Sequence, residues 1–299
     1  MACFDLHLHS CWSYDALTPV ETYFRFARES GARALAITDH HVMDGYGDVR
    51  DAAAKFPEVG FIVGAELTVH CEDGNYDLVC LGLPMRPEGE LGRVLELYHI
   101  WQREYGSAIS RNFCSRGMAF GDGERLELLK TYRPLRAVEL QGATHVKMAV
   151  LREYCIRHGF CKDEAGYREL RASFSDLPPY PAADAVVAAV KQAGGVVILA
   201  HPAGYFDGAD RKRMDMLRER FRLDGIECAH PSIPEELTEV YRNYCREHGL
   251  LSSGGSDLHS PRREEFAAHA GEEAWLDEIL ERVTLRHGGD TATTDDKGL

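Results

Sequence analysis

Long apolar runs are missing from this chain. No stretch approaches the roughly eighteen residues that cross a membrane, and the start, Met-Ala-Cys-Phe-Asp-Leu-His, lacks the basic-then-apolar order of an export signal. The expectation is a cytoplasmic protein with no membrane partner. Paired cysteines are missing as well: nine are scattered along the sequence with no Cys-x-x-Cys, so neither a disulfide framework nor a cysteine-bound structural zinc is expected. They read as reduced, mostly buried small apolar residues. Positive charge is scarce, since 34 Lys and Arg stand against 48 Asp and Glu for a formal net charge of −14. That balance repels polyanions and argues against stable duplex nucleic-acid binding, leaving room for small phosphorylated partners drawn by a local, metal-centred attraction. There is no Gly-x-Ser-x-Gly elbow and no cysteine with an evident base, so serine or cysteine nucleophilic catalysis lacks support. Gly194-Gly195 ends a helix and precedes a strand, the reverse of a phosphate-cradling loop, and reads as a turn. No signal for an oligomeric state is present.

What remains is a chain of 299 residues, 44% hydrophobic, long enough to bury a large core. Its first third alternates short apolar runs with amphipathic helical patterns, a βαβα order that implies a mostly parallel sheet or barrel. Phe4, Leu6 and Leu8 alternate with Asp5, His7 and His9, so one face of a strand projects both histidines the same way. Thr18-Pro19-Val20-Glu21 predicts a helix start, with Thr18 as cap and Pro19 in the first position, and Gly31 marks its end. Ala34-Leu35-Ala36-Ile37 is an apolar strand that stops at Thr38-Asp39-His40, and Phe61-Ile62-Val63-Gly64-Ala65 stops at Glu66. Residues 87–181 turn helical and rich in Arg, Glu and Tyr, closing in Leu177-Pro178-Pro179-Tyr180-Pro181. The βα rhythm then resumes through a helix at 182–192, the strand Val196-Val197-Ile198-Leu199-Ala200 ending in His201-Pro202, Gly225-Ile226-Glu227-Cys228, and Leu250-Leu251-Ser252-Ser253 before Gly254-Gly255-Ser256-Asp257-Leu258-His259. This divides the chain into a discontinuous barrel of residues 1–86 and 182–285, a helical insertion of 87–181, and a polar tail of 286–299.

Polar residues at strand ends carry the chemistry, because the carboxyl ends of barrel strands converge on one mouth. His7 and His9 can hold one ion, and His40, Glu66, His201, Asp257 and His259 fall at comparable strand ends, with Asp15 in the loop after the first strand. Imidazoles and carboxylates without thiolates suit Mn, Zn or Fe, and a carboxylate such as Glu66 can bridge ions about 3.5–4 Å apart. Asp39 fits a role orienting a ligand imidazole, and Asp5 either that role or a cap. His41 is expected to point elsewhere, and His99, His158, His248, His269 and His287 to be solvated. His70, His145 and His230 read as structural sooner than metal-binding.

These residues resemble the polymerase and histidinol phosphatase (PHP) superfamily of metal-dependent phosphoesterases. The resemblance lies in His7-Leu-His9-Ser10, Asp15 ahead of Leu17-Thr-Pro, Ala36-Ile-Thr-Asp-His40, Gly64-Ala-Glu66, Leu199-Ala-His201-Pro202 and Gly255-Ser-Asp-Leu-His259, in the family's order over nearly the whole chain. It implies a distorted seven-stranded (β/α) barrel of the α/β class with two or three divalent ions. His7, His9, Glu66 and Asp257 would share one ion, Asp15, His40 and His259 a second, and Glu66 and His201 a third. The helical insertion and the run from Ala193 to Pro202 resemble the subgroup that hydrolyses 3′,5′-bisphosphorylated nucleotides and short RNA from its 5′ end.

Two departures stand out. Val79, in Val79-Cys80-Leu81-Gly82, takes the place of a family histidine, which puts the third ion in question, and Asp77 or Cys80 is a weak candidate to replace it. The insertion carries Ala143-Thr144-His145 where the subgroup has Arg-Pro-His, so the guanidinium fork is lost. His145 and Lys147 remain the candidate substrate contacts, with Arg152 a weaker one. The expected reaction is hydrolysis of a nucleotide or short oligonucleotide by a metal-bound hydroxide. Glu66, His40 and His201 are its catalytic residues, and a metal-bound water or His201 would assist the leaving oxygen. Alternatives are a catalytically drifted protein that binds a phosphometabolite, and a metal-dependent amidohydrolase, although no lysine sits where that barrel bridges its metals.

Overall fold

The computed structural model describes residues 4–288. In chain order the elements are β1 (Phe4–Leu8), α1 (Val20–Ser30), β2 (Ala34–Ile37), α2 (Tyr46–Lys55), β3 (Gly60–Cys71), β4 (Gly74–Leu81), α3 (Gly89–Cys114), α4 (Asp122–Lys130), α5 (Leu135–Gln141), α6 (Met148–Arg157), α7 (Glu164–Ala172), α8 (Ala183–Gln192), β5 (Val196–Leu199), α9 (Arg211–Phe221), β6 (Gly225–Ala229), α10 (Glu235–His248), β7 (Leu251–Gly254) and α11 (Glu273–Leu280). The strands form one seven-stranded sheet in sequence order. Its ends approach through a Leu8–Leu258 bridge, with the His9 amide on the Leu258 carbonyl at 3.0 Å and the Asp257 amide on the His7 carbonyl at 2.9 Å. The result is a nearly closed barrel, as the strand-helix rhythm and the resemblance implied.

One strand departs from the mostly parallel pattern. β4 runs antiparallel to both β3 and β5, because only Glu72 and Asp73 separate it from β3 and a parallel return needs a crossover of a dozen residues or more. β3 is correspondingly longer than the apolar run suggested: it continues past Glu66 to Cys71. The start of α1 also differs. Pro19 occupies the cap position with no side-chain cap bond, while Thr18 is buried one residue earlier, its carbonyl taking the Cys11 amide at 2.8 Å. Gly31 ends the helix at φ +73°, a left-handed conformation that glycine adopts without a Cβ clash.

Two hydrophobic clusters are present among the described residues. The larger fills the barrel and its surrounding helices. The smaller joins the second half of α3 to α4–α7 through Ile109, Phe113, Phe120, Leu129, Leu151 and Tyr167. Leu91, Val94, Leu95 and Tyr98 belong to the larger cluster, so a boundary at residue 87 falls ahead of helical turns that pack on the barrel. Arg125, 1% exposed, pins the insertion by donating to the carbonyls of Gly106 (2.7 Å), Ala143 (3.0 Å) and Thr144 (3.1 Å). At the other end of the chain Arg286 pairs through its backbone with Phe61 in both directions at 2.9 Å. The segment that begins the expected polar tail is therefore held, and residues 289–299 lie outside the described residues.

The insertion grips the loop after β1 by its main chain. Tyr132 Oη donates to the Tyr14 carbonyl (2.8 Å), Arg133 Nη2 and Gln141 Nε2 to the Trp12 carbonyl (2.8 and 3.2 Å), and Lys147 Nζ to the Asp15 carbonyl (2.5 Å). On the opposite side of the mouth Gly255 presses against β1, where an added Cβ would stand 2.7 Å from the His7 nitrogen and closer still to its Cβ. Gly255→Ala is expected to cost about 1–3 kcal/mol through this overlap and to lower the melting temperature of the metal-free protein. An unchanged melting curve would contradict the packing described.

Candidate metal centre

Strand alternation and strand ends assemble the centre. His7 projects from β1, His9 and Asp15 follow it, His40 follows β2, Glu66 sits within β3, His201 follows β5, and Asp257 and His259 follow β7. The structure brings all of these expected residues together. Glu66, 0% exposed, is their hub: its Oε2 lies 3.2 Å from His7 Nε2, 3.3 Å from His9 Nε2 and 3.0 Å from His40 Nδ1, and its Oε1 lies 3.1 Å from His201 Nε2. Asp257 Oδ1 stands 3.0 Å from His9 Nε2 and 3.6 Å from His7 Nε2. Asp15 Oδ2 is 3.6 Å from His40 Nε2 and 3.4 Å from His259 Nε2, and those two nitrogens face each other at 3.4 Å.

His201 Nε2 with Glu66 Oε1 and the facing His40 and His259 nitrogens are placed as hydrogen-bonded pairs, but other close atoms of the cluster are not aligned as donor and acceptor. His7 Nε2, His9 Nε2, His40 Nδ1, Glu66 Oε2 and Asp15 Oδ1 are all buried without a hydrogen-bond partner. One such atom costs about 1–3 kcal/mol, so their convergence has a physical account if they face shared cations. Groups of three donor atoms close enough for one ion are His7/His9/Glu66, His9/His40/His259, His7/His230/Asp257 and Glu66/Asp77/His201. The residues present therefore fit divalent ions, and their nitrogen and oxygen donors without thiolate suit first-row metals.

The electrostatics agree. Burial resists protonation of the rings, but the surrounding carboxylates outweigh it: His40 is raised to about 10 chiefly by Asp15 and Glu66, His201 to about 9 by Glu66, and His7 and His259 are also raised. Burial likewise opposes ionisation of Asp15, Glu66 and Asp257, and the histidines override it to lower all three. Without metal, protons occupy the place that cations would take.

Supporting residues fix which nitrogen faces inward. His7 Nδ1 meets Glu227 Oε1 at 3.0 Å, and Glu227 Oε2 accepts the His201 amide at 2.6 Å. With its Nδ1 proton engaged, His7 turns an Nε2 lone pair to the centre. His259 Nδ1 likewise engages the Asp257 carbonyl at 2.9 Å. His230 is the reverse case: its Nδ1 accepts the Ser232 amide at 3.0 Å, so in the neutral ring the proton sits on Nε2, facing Asp257 Oδ2 at 3.3 Å. That hydrogen placement follows from the bonding pattern, and His230 Nε2 stands close to Asp257 without alignment for a hydrogen bond. Asp39 acts at one remove. It accepts from the Ser10 amide (2.6 Å), Ser10 Oγ (2.7 Å) and Ser13 Oγ (3.1 Å), and Ser13 Oγ in turn meets His9 Nδ1 at 3.3 Å and the His40 amide at 2.8 Å. Asp5, raised to about 6 by burial, accepts from the Ser256 and Ala267 amides and so holds the loop of Asp257 and His259. His201 and Asp257 adopt φ of +30° and +51°, strain of about 1–3 kcal/mol each that the surrounding bonds sustain.

Glu227 and His230 were not singled out as site residues from the sequence, and Asp77 entered only as a weak candidate ligand for the third ion. Signals existed for the first two: Glu227 is an acid inside an apolar strand, and Ala229-His230-Pro231 repeats Ala200-His201-Pro202. His99, expected to be solvated, instead faces Asp44 at 3.3 Å with a side chain 17% exposed. His41 does turn away, with its Nε2 on Thr68 Oγ1 at 2.8 Å. His145 is buried behind Tyr14, at a ring separation of 3.9 Å, and Tyr14 lies 5.6 Å from the His40 ring. Burial pushes His145 down to about 3. Arg152 pairs with Glu164 at 3.2 Å.

The PHP domain family model matches residues 5–228. The chain is 29% identical over 276 residues to a 3′,5′-nucleoside bisphosphate phosphatase of Chromobacterium violaceum, covering 87% of this chain and 88% of that protein. It is 23% identical over 270 residues to a 5′-3′ exoribonuclease of Haemophilus influenzae, covering 86% and 90%. Among solved structures, a Bifidobacterium adolescentis protein described as a predicted metal-dependent phosphoesterase superposes with TM-score 0.71 at 23% identity over 94% of this chain and 96% of that one. A Chromobacterium violaceum protein described as an amidohydrolase with bound sulfate and no metal superposes with TM-score 0.74 at 21% identity over 97% and 99%. At these identities the structural likenesses show the fold alone.

Two outcomes follow from the geometry. Glu227→Gln is expected to weaken Mn²⁺ binding by about 10–100-fold through loss of the charge that orients His7, measured by titration of metal-free protein. Because His40 and His201 titrate higher folded than unfolded, their contribution to metal-free stability is complete below about pH 6.5 and disappears as pH rises through about 9 to about 10. Melting temperatures of chelated protein should therefore fall across that window, and the gain on adding Mn²⁺ should grow; a flat profile would contradict the charge balance described.

Proposed function

We propose the following from one premise, that this chain belongs to the PHP domain family: it is a metal-dependent phosphoesterase acting on a small phosphorylated substrate, and that substrate is a nucleotide or short oligonucleotide. The observation that carries the reading is the convergence of buried, partnerless nitrogen and oxygen atoms around Glu66. His7, His9, Glu66 and Asp257 would hold one ion, and Asp15, His40 and His259 a second, with Mn, Zn or Fe as candidates from the donor set. Such ions, when bound, supply positive charge to phosphoryl oxygens and lower the pKa of water toward neutrality.

The chain's own groups do the rest. Glu66 spans the ligand sets through its two oxygens, and His40 and His9 define its inner side. His201, on the outer side of Glu66 with a side chain 23% exposed, stands where substrate arrives. Glu227 keeps His7 in ligating orientation. Lys147, tied to the Asp15 carbonyl, brings a positive charge to the rim, and His145, neutral behind Tyr14, serves as a wall sooner than a phosphate clamp. The nucleotide class is supported by the two enzymes that this chain resembles over most of its length. Its net charge of −14 favours short substrates over duplexes. Lysine-bridged amide hydrolysis has no support here, since among the described residues no lysine pairs with Glu66 and Lys147 engages a carbonyl.

Purified protein supplied with Mn²⁺ or Zn²⁺ should release phosphate or nucleotides from a panel of nucleoside 3′,5′-bisphosphates and 5′-phosphorylated short RNAs, in preference to sugar phosphates. His7→Ala and Asp257→Ala should each lower kcat by roughly 10²–10³-fold, the scale of losing a principal electrostatic stabiliser. Absence of turnover across the panel, or full activity in both variants, would sink the assignment.

A further inference from the structure

Two thiols lie against each other on the outer side of the barrel, where the metal centre makes no use of them. Strand alternation explains how they meet. In β6 the Glu227 side chain turns inward to His7, so Cys228 turns outward. It faces Cys245 of α10, and the two sulfurs stand 3.8 Å apart. Both residues are fully buried and both are free thiols. A disulfide needs its sulfurs at about 2.05 Å, so closing the gap by about 1.8 Å joins them.

Their surroundings make the two thiols unequal. A hydrogen bond from Cys228 holds the Cys245 thiol below its ordinary value against the effect of burial, and the Ser252 hydroxyl and the Arg242 charge add to it. Burial pushes Cys228 up. Arg242 stands three residues before Cys245 on the same face of α10 and donates to Ser252 Oγ at 2.9 Å, while its Nε is buried without a hydrogen-bond partner. Arg242 and Cys245, with Arg246, Glu278 and Arg282, line a cavity of about 240 Å³, several times the roughly 30 Å³ share of a water-sized molecule. A more acidic thiol beside a cationic donor and a cavity, backed by a second thiol, has the parts of an attacking and a resolving cysteine.

We propose that Cys245 and Cys228 form an oxidant-reactive dithiol site whose substrate is hydrogen peroxide. The Cys245 thiolate attacks one peroxide oxygen and the O–O bond breaks. Hydroxide leaves and takes up the proton that the thiol gave, so the products are Cys245 sulfenic acid and water. The Cys228 sulfur then attacks the Cys245 sulfur: the S–S bond forms, the S–O bond breaks, and hydroxide leaves with the Cys228 proton as a second water. Two thiols are oxidised and one peroxide is reduced. None of these steps draws on the metal centre, but Cys228 directly follows Glu227, the acid on His7. The oxidised protein is therefore expected to bind Mn²⁺ about tenfold more weakly, and this consequence alone rests on the paired-ion reading.

The test is thiol mapping. Reduced full-length protein is treated with hydrogen peroxide, alkylated, digested with trypsin and analysed by mass spectrometry, with circular dichroism confirming that each variant is folded. The expected product joins peptides 223–242 and 243–246 with loss of two hydrogens, and dithiothreitol separates them again. In Cys228→Ala the sulfenic acid should persist at Cys245 and be trapped by a 1,3-diketone probe, whereas Cys245→Ala should give no label at Cys228. Oxidation of the exposed Cys114 without the Cys228–Cys245 link overturns the site, and this wild-type comparison decides the matter even if a variant does not fold. A label on Cys228 in the absence of Cys245 overturns the order of attack. Equal Mn²⁺ affinity before and after oxidation overturns the link to the centre and leaves the dithiol site standing.

Discussion

A fully buried carboxylate surrounded by imidazoles governs this structure. Glu66 has no lysine or arginine partner among the described residues, and its two oxygens face His7, His9, His40 and His201. A lone buried carboxylate would shift its pKa and neutralise; here the histidines depress it, and it elevates them in return. The interior thus stores a charge imbalance that either protons or metal ions settle, and the barrel exists around that choice. Glu66 is held in register by Val79 on β4 and by a bridge to His40, so the hub cannot drift without unpairing the sheet.

Around the hub the chain uses a consistent device, an outer acid that fixes a position nearer the centre. Glu227 fixes His7, Asp39 works through Ser13 on His9, and Asp5 holds the Ser256 loop. Each of these acids is itself buried and each is satisfied by bonds from several directions. The strained backbone at His201 and Asp257 belongs to the same economy, since side chains pointing into one mouth from different strands require turns that ordinary strand ends do not supply.

The sequence showed the barrel and most of the centre because both obey short periods. Alternation placed His7 with His9, and apolar runs ending in polar residues marked His40, Glu66, His201, Asp257 and His259. What it concealed depended on partners distant in the chain. The reversal of β4 follows from a link too short for a crossover, which the apolar pattern alone does not reveal. Thr18 looked like a helix cap because its offset to Glu21 was right, but burial against the Cys11 amide took it out of that role. His230 gave the same local pattern as His201, but its Nδ1 accepts the Ser232 amide while the His201 ring meets Glu66, a distinction of hydrogen bonding that no spacing encodes. Asp77 and Cys80 were equal candidates in the sequence, and only the structure separates them, setting Asp77 beside His201 and turning the Cys80 thiol to the Leu78 carbonyl.

The grip of the insertion on the loop after β1 has its own consequence. Tyr132, Arg133, Gln141 and Lys147 all reach carbonyl oxygens of residues 12–15, and the Tyr14 and Trp12 rings add side-chain contacts to His145 and Arg136. The loop's backbone stays clasped from four directions, and the helices hold it without drawing on the metal-facing side chain of Asp15. Whatever displaces those helices also tugs on the main chain at Asp15, which makes the inserted module the keeper of the position of one candidate cation ligand.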